Sequence, residues 1–383
     1  MTTRTTGVWA VVAAVLVGVA ALGADTWPKT VTLEEPERLI SVGRFAFNAA
    51  GTRLFAMEGN RPNTVKKTRL EGLTRLLAID LPAGTVAWGS DPQQVLVFGM
   101  AVSADGKSVF VAEEAGAHPF TRSLVRYSGQ TGNRQDSVTL PKDFVARCVA
   151  VNASGSRVAV GGMPASFARS SFAVHVFEGT TMNAQASFAV PGRSLVTDLA
   201  FCPGTNLLAG VVAELRKDGH RGQCVVWDIA GGTREWNTTF SASTLGGGLL
   251  AFDAGGSRLA VAYRTDRLGI AMLELWDVAE RTRTWSVRIP RISRGLAFSQ
   301  DGTKLLRGSY TELAIYSTAD GVIAGTVSDT ADFAVDAAGQ YIAYEVPRTY
   351  KAWPSPTVRP AYSVAATIKI EPVATRLATA VRP

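Results

Sequence analysis

The sequence predicts an all-β fold of seven similar four-stranded antiparallel sheets. A short pattern occurs seven times along the 383 residues: an apolar pair, a polar turn that ends in glycine, and a second apolar run. The copies lie 37 to 55 residues apart, a period typical of blade repeats in propeller folds. Further short apolar runs follow each copy and supply the outer strands. The expected architecture is therefore a seven-bladed β-propeller.

The seven copies share an apolar anchor at the end of the first run. These anchors are Phe47, Val102, Val151, Phe201, Phe252, Phe298 and Val335. The turn glycines that follow are Gly51, Gly106, Gly155, Gly204, Gly256, Gly302 and Gly339. Glycine tolerates the positive φ that tight hairpin turns require. Each copy therefore predicts a β-hairpin that forms the first two strands of a blade.

Third strands are predicted by apolar runs that follow six of the hairpins. These runs cover residues 76–80, 124–128, 174–178, 225–229, 273–278 and 313–317. A polar turn and a fourth strand come next, as in residues 232–240. Because one four-stranded sheet cannot bury its own face, the blades are expected to pack face to face in a ring.

Both ends of the chain contain segments that could supply the strands that close this ring. Residues 31–42 and 367–380 both have the pattern of a third and fourth strand. Only one of these pairs can supply the outer strands of the last blade in full. We expect an N-terminal strand near residues 39–42 to help close the ring, since closure removes an exposed edge.

Two TrpAsp dipeptides close predicted third strands, Trp227-Asp228 and Trp276-Asp277. With the repeat pattern, they make the chain resemble the WD40-like and YVTN-like bacterial propeller families from residue 31 to residue 383. No repeat opens with the GlyHis dipeptide of a eukaryotic WD repeat, so its His/Asp network is not carried over. The resemblance implies a fold and no single function, because propellers include catalysts, binders and scaffolds.

The N-terminal residues 1–24 have the pattern of a targeting segment. Residues 7–24 carry no charge, follow Arg4, and end in small residues before Asp25. This favours a secretory signal peptide, with an uncleaved membrane anchor as the alternative. We therefore expect an exported protein, whether periplasmic, extracellular or anchored facing outside, whose residues 25–383 form one propeller domain.

Residues suited to catalysis or metal binding are scarce. The histidines His118, His175 and His220 fall in separate predicted blades and lack metal-ligand spacing. No hydrolase triad motif is visible. The three cysteines Cys148, Cys202 and Cys224 give no even disulfide framework, so we expect small buried apolar residues. The prediction names no catalytic residue, cofactor or metal.

Positive charge is concentrated in the loops that join second to third strands, which emerge on one face of a propeller. Across residues 59–75, 113–122, 162–171, 214–223, 264–271 and 346–363 there are 15 Lys or Arg and 6 Asp or Glu, in a chain of net charge +7. Such a face attracts an anionic partner; the alternative is charge that serves solubility. The candidate partner-binding residues are Arg61, Lys66, Lys67, Arg69, Arg216, Lys217, Arg348, Tyr350, Lys351 and Trp353.

The sequence favours a non-catalytic exported propeller that binds a protein or an anionic envelope component. Export, and the lack of a recurring aromatic and basic groove, argue against nucleic acid. Membrane contact is expected only through residues 1–24 if they remain uncleaved. The alternative is a lactonase-like or quinoprotein-dehydrogenase-like enzyme with its site at the mouth of the central channel. Three or more convergent carboxylates or imidazoles there would favour the enzyme.

Overall fold

The computed structural model describes residues 29–372 with several gaps. The gaps are 34–38, 62–64, 67–68, 71–73, 82, 117–119, 165–171, 191–192, 217–218, 243–247, 266–269, 291–292, 294, 300, 310–311, 329–330, 336–340 and 346–365. The predicted targeting segment, residues 1–24, and Gly339 lie outside the described residues.

The described part of the chain folds into thirty β-strands. The first eleven are β1 (Lys29–Leu33), β2 (Leu39–Phe47), β3 (Arg53–Arg61), β4 (Val65–Lys66), β5 (Arg69–Leu70), β6 (Thr74–Asp80), β7 (Thr85–Gly89), β8 (Val95–Val102), β9 (Ser108–Ala115), β10 (Thr121–Ser128) and β11 (Arg134–Thr139). The next eight are β12 (Phe144–Val151), β13 (Arg157–Pro164), β14 (Phe172–Glu178), β15 (Ala184–Ala189), β16 (Arg193–Phe201), β17 (Leu207–Arg216), β18 (Gly219–Asp228) and β19 (Thr233–Ala242). The last eleven are β20 (Leu249–Phe252), β21 (Arg258–Arg264), β22 (Ala271–Asp277), β23 (Thr282–Ile289), β24 (Gly295–Phe298), β25 (Lys304–Gly308), β26 (Glu312–Ser317), β27 (Ile323–Ser328), β28 (Ala331–Val335), β29 (Tyr341–Glu345) and β30 (Ala366–Pro372).

The strands form four-stranded antiparallel blades in a propeller, as the sequence predicts. Six blades each use four strands in chain order: β2-β3-β6-β7, β8 to β11, β12 to β15, β16 to β19, β20 to β23 and β24 to β27. We number these blades 1 to 6. The predicted hairpin turns are confirmed at Gly51, Gly106, Gly155, Gly204, Gly256 and Gly302, which all have φ between 62° and 72°.

The seventh repeat lies in a sheet that combines both ends of the chain, with the order β28-β29-β30-β1. We call it the terminal sheet. The structure thus shows six blades of consecutive strands, one fewer than the seven predicted. The expectation that residues 39–42 supply the closing strand is wrong. They belong to β2, the first strand of blade 1, while Lys29–Leu33 pairs with β30 from Lys29↔Ile370 to Leu33↔Ala366.

Apolar side chains fill the spaces between neighbouring blades. One cluster joins blades 1 and 2 through Phe55, Met57, Val109 and Val111. Similar clusters lie between blades 2 and 3, 3 and 4, 4 and 5, and 5 and 6. A fully buried side chain of this size contributes about 1.5–3 kcal/mol, so face-to-face packing supplies much of the stability. The expectation that the three cysteines are small buried residues is also confirmed.

The first strand of each blade is innermost and lies beside the first strands of its neighbours. These contacts run in the order β2, β8, β12, β16, β20, β24 and β28, and β28 contacts β2. The inner strands therefore surround a central channel. Five of them carry a register shift that leaves one residue unpaired, a β-bulge. The unpaired residues are Arg44, Phe98, Arg147, Thr197 and Asp332.

Candidate functional site

Antiparallel order sorts the connections onto two faces of the propeller. Links between second and third strands emerge on one face, which we call the loop face. Links between first and second strands, and between third and fourth strands, emerge on the opposite turn face. The predicted partner-binding residues that the structure describes, Arg61, Lys66, Arg69 and Arg216, lie in the chain segments at this loop face.

The first loop contains a small hairpin of its own. Arg61 is the last residue of β3, and β4 then pairs with β5, with Lys66 opposite Arg69. The structure therefore brings three of the predicted basic residues onto one extension of blade 1. Lys67, between Lys66 and Arg69, lies outside the described residues.

The other predicted residues fall at or beyond the limits of the description. Arg216 is the last residue of β17, and Lys217 follows it in a gap. The aromatic and basic segment with Arg348, Tyr350, Lys351 and Trp353 lies outside the described residues, as does His118. His220, within the predicted loop at residues 214–223, is instead part of β18 and pairs with Leu215 and Ala242.

Several carboxylates assigned to loops from sequence are in strands. Glu113 and Glu114 are in β9 and Glu214 is in β17, and all three are buried. Arg122 of β10 holds Glu114 at 2.9 Å, and Arg134 of β11 holds Glu113 at 3.0 Å. Burial of a charge is tolerated when an ion pair compensates it. With bounds drawn at the strand ends, the loops between second and third strands contain nine Lys or Arg and three Asp or Glu.

Another buried carboxylate, Glu274 in blade 5, is held by more partners. Glu274 accepts hydrogen bonds from Tyr263 Oη at 2.9 Å and from Trp276 Nε1 at 3.0 Å. The Arg283 guanidinium lies 2.9 Å from the same carboxylate. Burial, and then the Glu274 charge, raise the pKa of the Tyr263 hydroxyl. These partners fix Glu274 within the blade, an arrangement that stabilises the sheet.

The turn face has a shallow depression between blades 1 and 2. Its volume is about 460 Å³, and its lining consists of Asn48, Thr52, Arg53, Asp80, Ala83, Gly106 and Gln130. Arg53 is paired with Asp80 at 2.8 Å and donates to the Gly129 carbonyl of blade 2 at 3.1 Å. The guanidinium thus joins two blades, and its donors are engaged within the protein.

Within the described ranges, no three His, Cys, Asp or Glu side chains are grouped so that they could hold a metal ion. Among those residues, no helix is long and apolar enough to cross a bilayer.

Two kinds of structurally important residue were not identified from the sequence. The first is the bulge residue of the inner strand, exemplified by Arg147, which the structure places on the channel wall. The sequence contains a pattern that could have identified it. In three repeats an arginine precedes the apolar anchor by three or four residues: Arg44, Arg147 and Arg294.

The second kind is the tryptophan of the fourth strand. Trp88, Trp236 and Trp285 occupy the same place in β7, β19 and β23. Each reaches the next blade: Trp236 packs 5.9 Å from Trp276, and Trp285 donates to the Thr318 carbonyl at 2.9 Å. These indoles join neighbouring blades.

Comparison with known proteins adds no family. The chain matches no protein-family model, and no curated protein is significantly similar to it. The fold and the residues of the site therefore carry the functional argument.

Proposed function

We propose that the protein is an exported, non-catalytic seven-bladed propeller of the WD40-like or YVTN-like kind. On this proposal its loop face binds a protein or an anionic envelope component. The terminal sheet is then the seventh blade, since its first strand β28 lies between β24 and β2 in the ring of inner strands. Residues 1–24 act as a signal peptide or an anchor.

The observation that carries the proposal is the separation of charge between loops and strands. Buried carboxylates are paired with arginines inside the blades, as for Glu113, Glu114 and Glu274. The loops of the loop face keep a threefold excess of basic residues. A face of one charge sign raises the local concentration of partners of opposite sign.

The hairpin of β4 and β5 supports the same interpretation. Lys66 and Arg69 are cross-strand partners in it, and like charges directly opposite each other destabilise a two-stranded ribbon. An anionic partner that bound this hairpin would neutralise the two charges and remove the destabilisation.

A pull-down from an envelope fraction at low and high salt tests this function. We expect the full chain to capture a partner at low salt and to lose it at high salt. The variant Lys66→Ser/Lys67→Ser/Arg69→Ser should fold normally and bind at least tenfold more weakly.

A control variant makes the same change in charge away from the loop face. It replaces Lys107, Arg234 and Arg281, which are exposed and lie at the turn face, with serine, and should bind like the parent chain. Equal binding by all three proteins at low salt would contradict the basic-face proposal.

A further inference from the structure

The channel wall carries a guanidinium group that has no hydrogen bond or ion pair with any residue the structure describes. Arg147 is the unpaired residue of the bulge in β12, between Ala146 and Cys148. Both neighbours are buried, yet the Arg147 side chain is exposed. Because β12 is an innermost strand with a blade on either side, the solvent that reaches Arg147 is in the central channel.

Arg147 is held in place by an aromatic ring from the neighbouring bulge. Its guanidinium carbon lies 5.5 Å from the ring centroid of Phe98, the bulge residue of β8. A cation over a ring face is attracted to it, while the N–H groups in the guanidinium plane stay available to acceptors. Among the described residues, no hydrogen bond or ion pair reaches this guanidinium.

The surrounding backbone is tightly fitted, which fixes the position of the two bulges. A Cβ added to Gly99, next to Phe98, would lie 2.8 Å from the backbone nitrogen of Val149 in β12. Further round the ring, Thr197 Oγ1 accepts a hydrogen bond from Gly248 N of blade 5 at 3.1 Å. The wall of the channel is thus closely packed at the level of the bulges.

The carboxylate that acts on Arg147 is already paired with another arginine, so the Arg147 guanidinium can attract a bound anion. The Glu114 carboxylate is near enough to act electrostatically on the guanidinium. That carboxylate is itself paired with Arg122.

We propose that the channel binds a small oxyanion, a carboxylate or phosphate group, with Arg147 as the principal donor and Phe98 as the residue that positions it. Guanidinium groups bind such groups through two parallel N–H···O bonds. This site is separate from the loop face, and it does not depend on the partner proposed above.

Titration calorimetry of the full chain tests this site. The probes are sodium phosphate and sodium acetate in separate experiments, with potassium chloride at equal ionic strength as the reference. We expect saturable binding of phosphate, acetate or both, but not of chloride. The two probes distinguish a phosphate ligand from a carboxylate ligand.

Variants assign the binding to Arg147. Arg147→Gln should lower the affinity for the oxyanion at least tenfold. Arg147→Lys keeps the charge but loses the paired donors, so its affinity should lie between those of the parent and Arg147→Gln. Arg288→Gln, at an exposed arginine of the outer strand β23, should bind like the parent. Binding no stronger than that of chloride, or equal affinity in Arg147→Gln and the parent, would overturn the proposal.

Discussion

Burial and a missing acceptor decide the protonation of His175. Its ring meets Phe144 edge-on with centroids 4.8 Å apart, and Nδ1 lies 2.9 Å from Ser187 Oγ. The other nitrogen, Nε2, is buried without a hydrogen-bond partner in the described part of the chain. Burial lowers the pKa of His175, and the Asp143 charge only partly opposes this effect. The folded chain therefore favours the neutral ring.

This preference predicts a pH-dependent loss of stability. Because the folded pKa lies below the unfolded value of about 6.5, protons bind the unfolded chain more readily. The free energy of unfolding should be highest at pH values above the unfolded pKa. It should decrease as the pH falls between the unfolded and the folded pKa, and stop decreasing below the folded pKa. Urea unfolding between pH 8 and pH 5 measures the slope, with a His175→Gln variant as reference. The same slope in both proteins would assign it to other groups.

At the scale of the element, the turns between third and fourth strands differ in what lies over them. Gly132, between β10 and β11, has φ of 74°, and a Cβ there would meet Trp88 of blade 1 at 2.4 Å. Gly232, between β18 and β19, has φ of 66° and no atom within 4 Å of such a Cβ. The two glycines share a backbone conformation, but only Gly132 is needed for packing between blades.

Alanine substitution separates these two effects. Gly232→Ala should cost about 1–2 kcal/mol, the strain of a left-handed conformation. Gly132→Ala should cost about 1–3 kcal/mol more, because the methyl group displaces the Trp88 ring in a packed interface. Denaturant unfolding of the two variants gives the difference. Equal losses would mean that Trp88 does not stabilise the contact between blades 1 and 2.

Hairpins were predictable from the sequence because their determinants are local. The turn glycines and apolar runs around Phe47 or Phe298 specify each hairpin without reference to the rest of the chain. The buried carboxylates were not predictable in this way. Glu113 depends on Arg134, two strands away in the sheet, and a glutamate beside a predicted loop is normally solvated.

The same limit applies to the candidate sites. The basic residues of the loop face could be named from sequence because charge is a property of composition. Arg147 could not be assigned to the channel, because its exposure depends on a bulge and on the approach of blade 2 to blade 3. The sequence shows that Arg44, Arg147 and Arg294 have similar positions in their repeats. That this position places Arg147 at the channel became clear only from the arrangement of the blades in a ring.

For the whole molecule, the main question is how the ring is held closed. The segments at residues 31–42 and 367–380 have similar apolar alternation, so the pattern alone did not distinguish their roles. In the structure β1 forms the outer edge of the terminal sheet through five residue pairs with β30. The N-terminal strand thus ties the beginning of the chain to its last sheet.

Removal of β1 should eliminate the pairing between the N-terminal strand and β30. A chain that starts at Asp25 keeps the strand, whereas a chain that starts at Glu34 leaves β30 as an unpaired edge. Exposed edges template further pairing, so we expect the shorter chain to melt several degrees lower and to self-associate. Calorimetry and light scattering of the two chains measure both effects. If both chains melt together as monomers, the contacts of the inner strands suffice to close the ring, and β1 is only an addition to its edge.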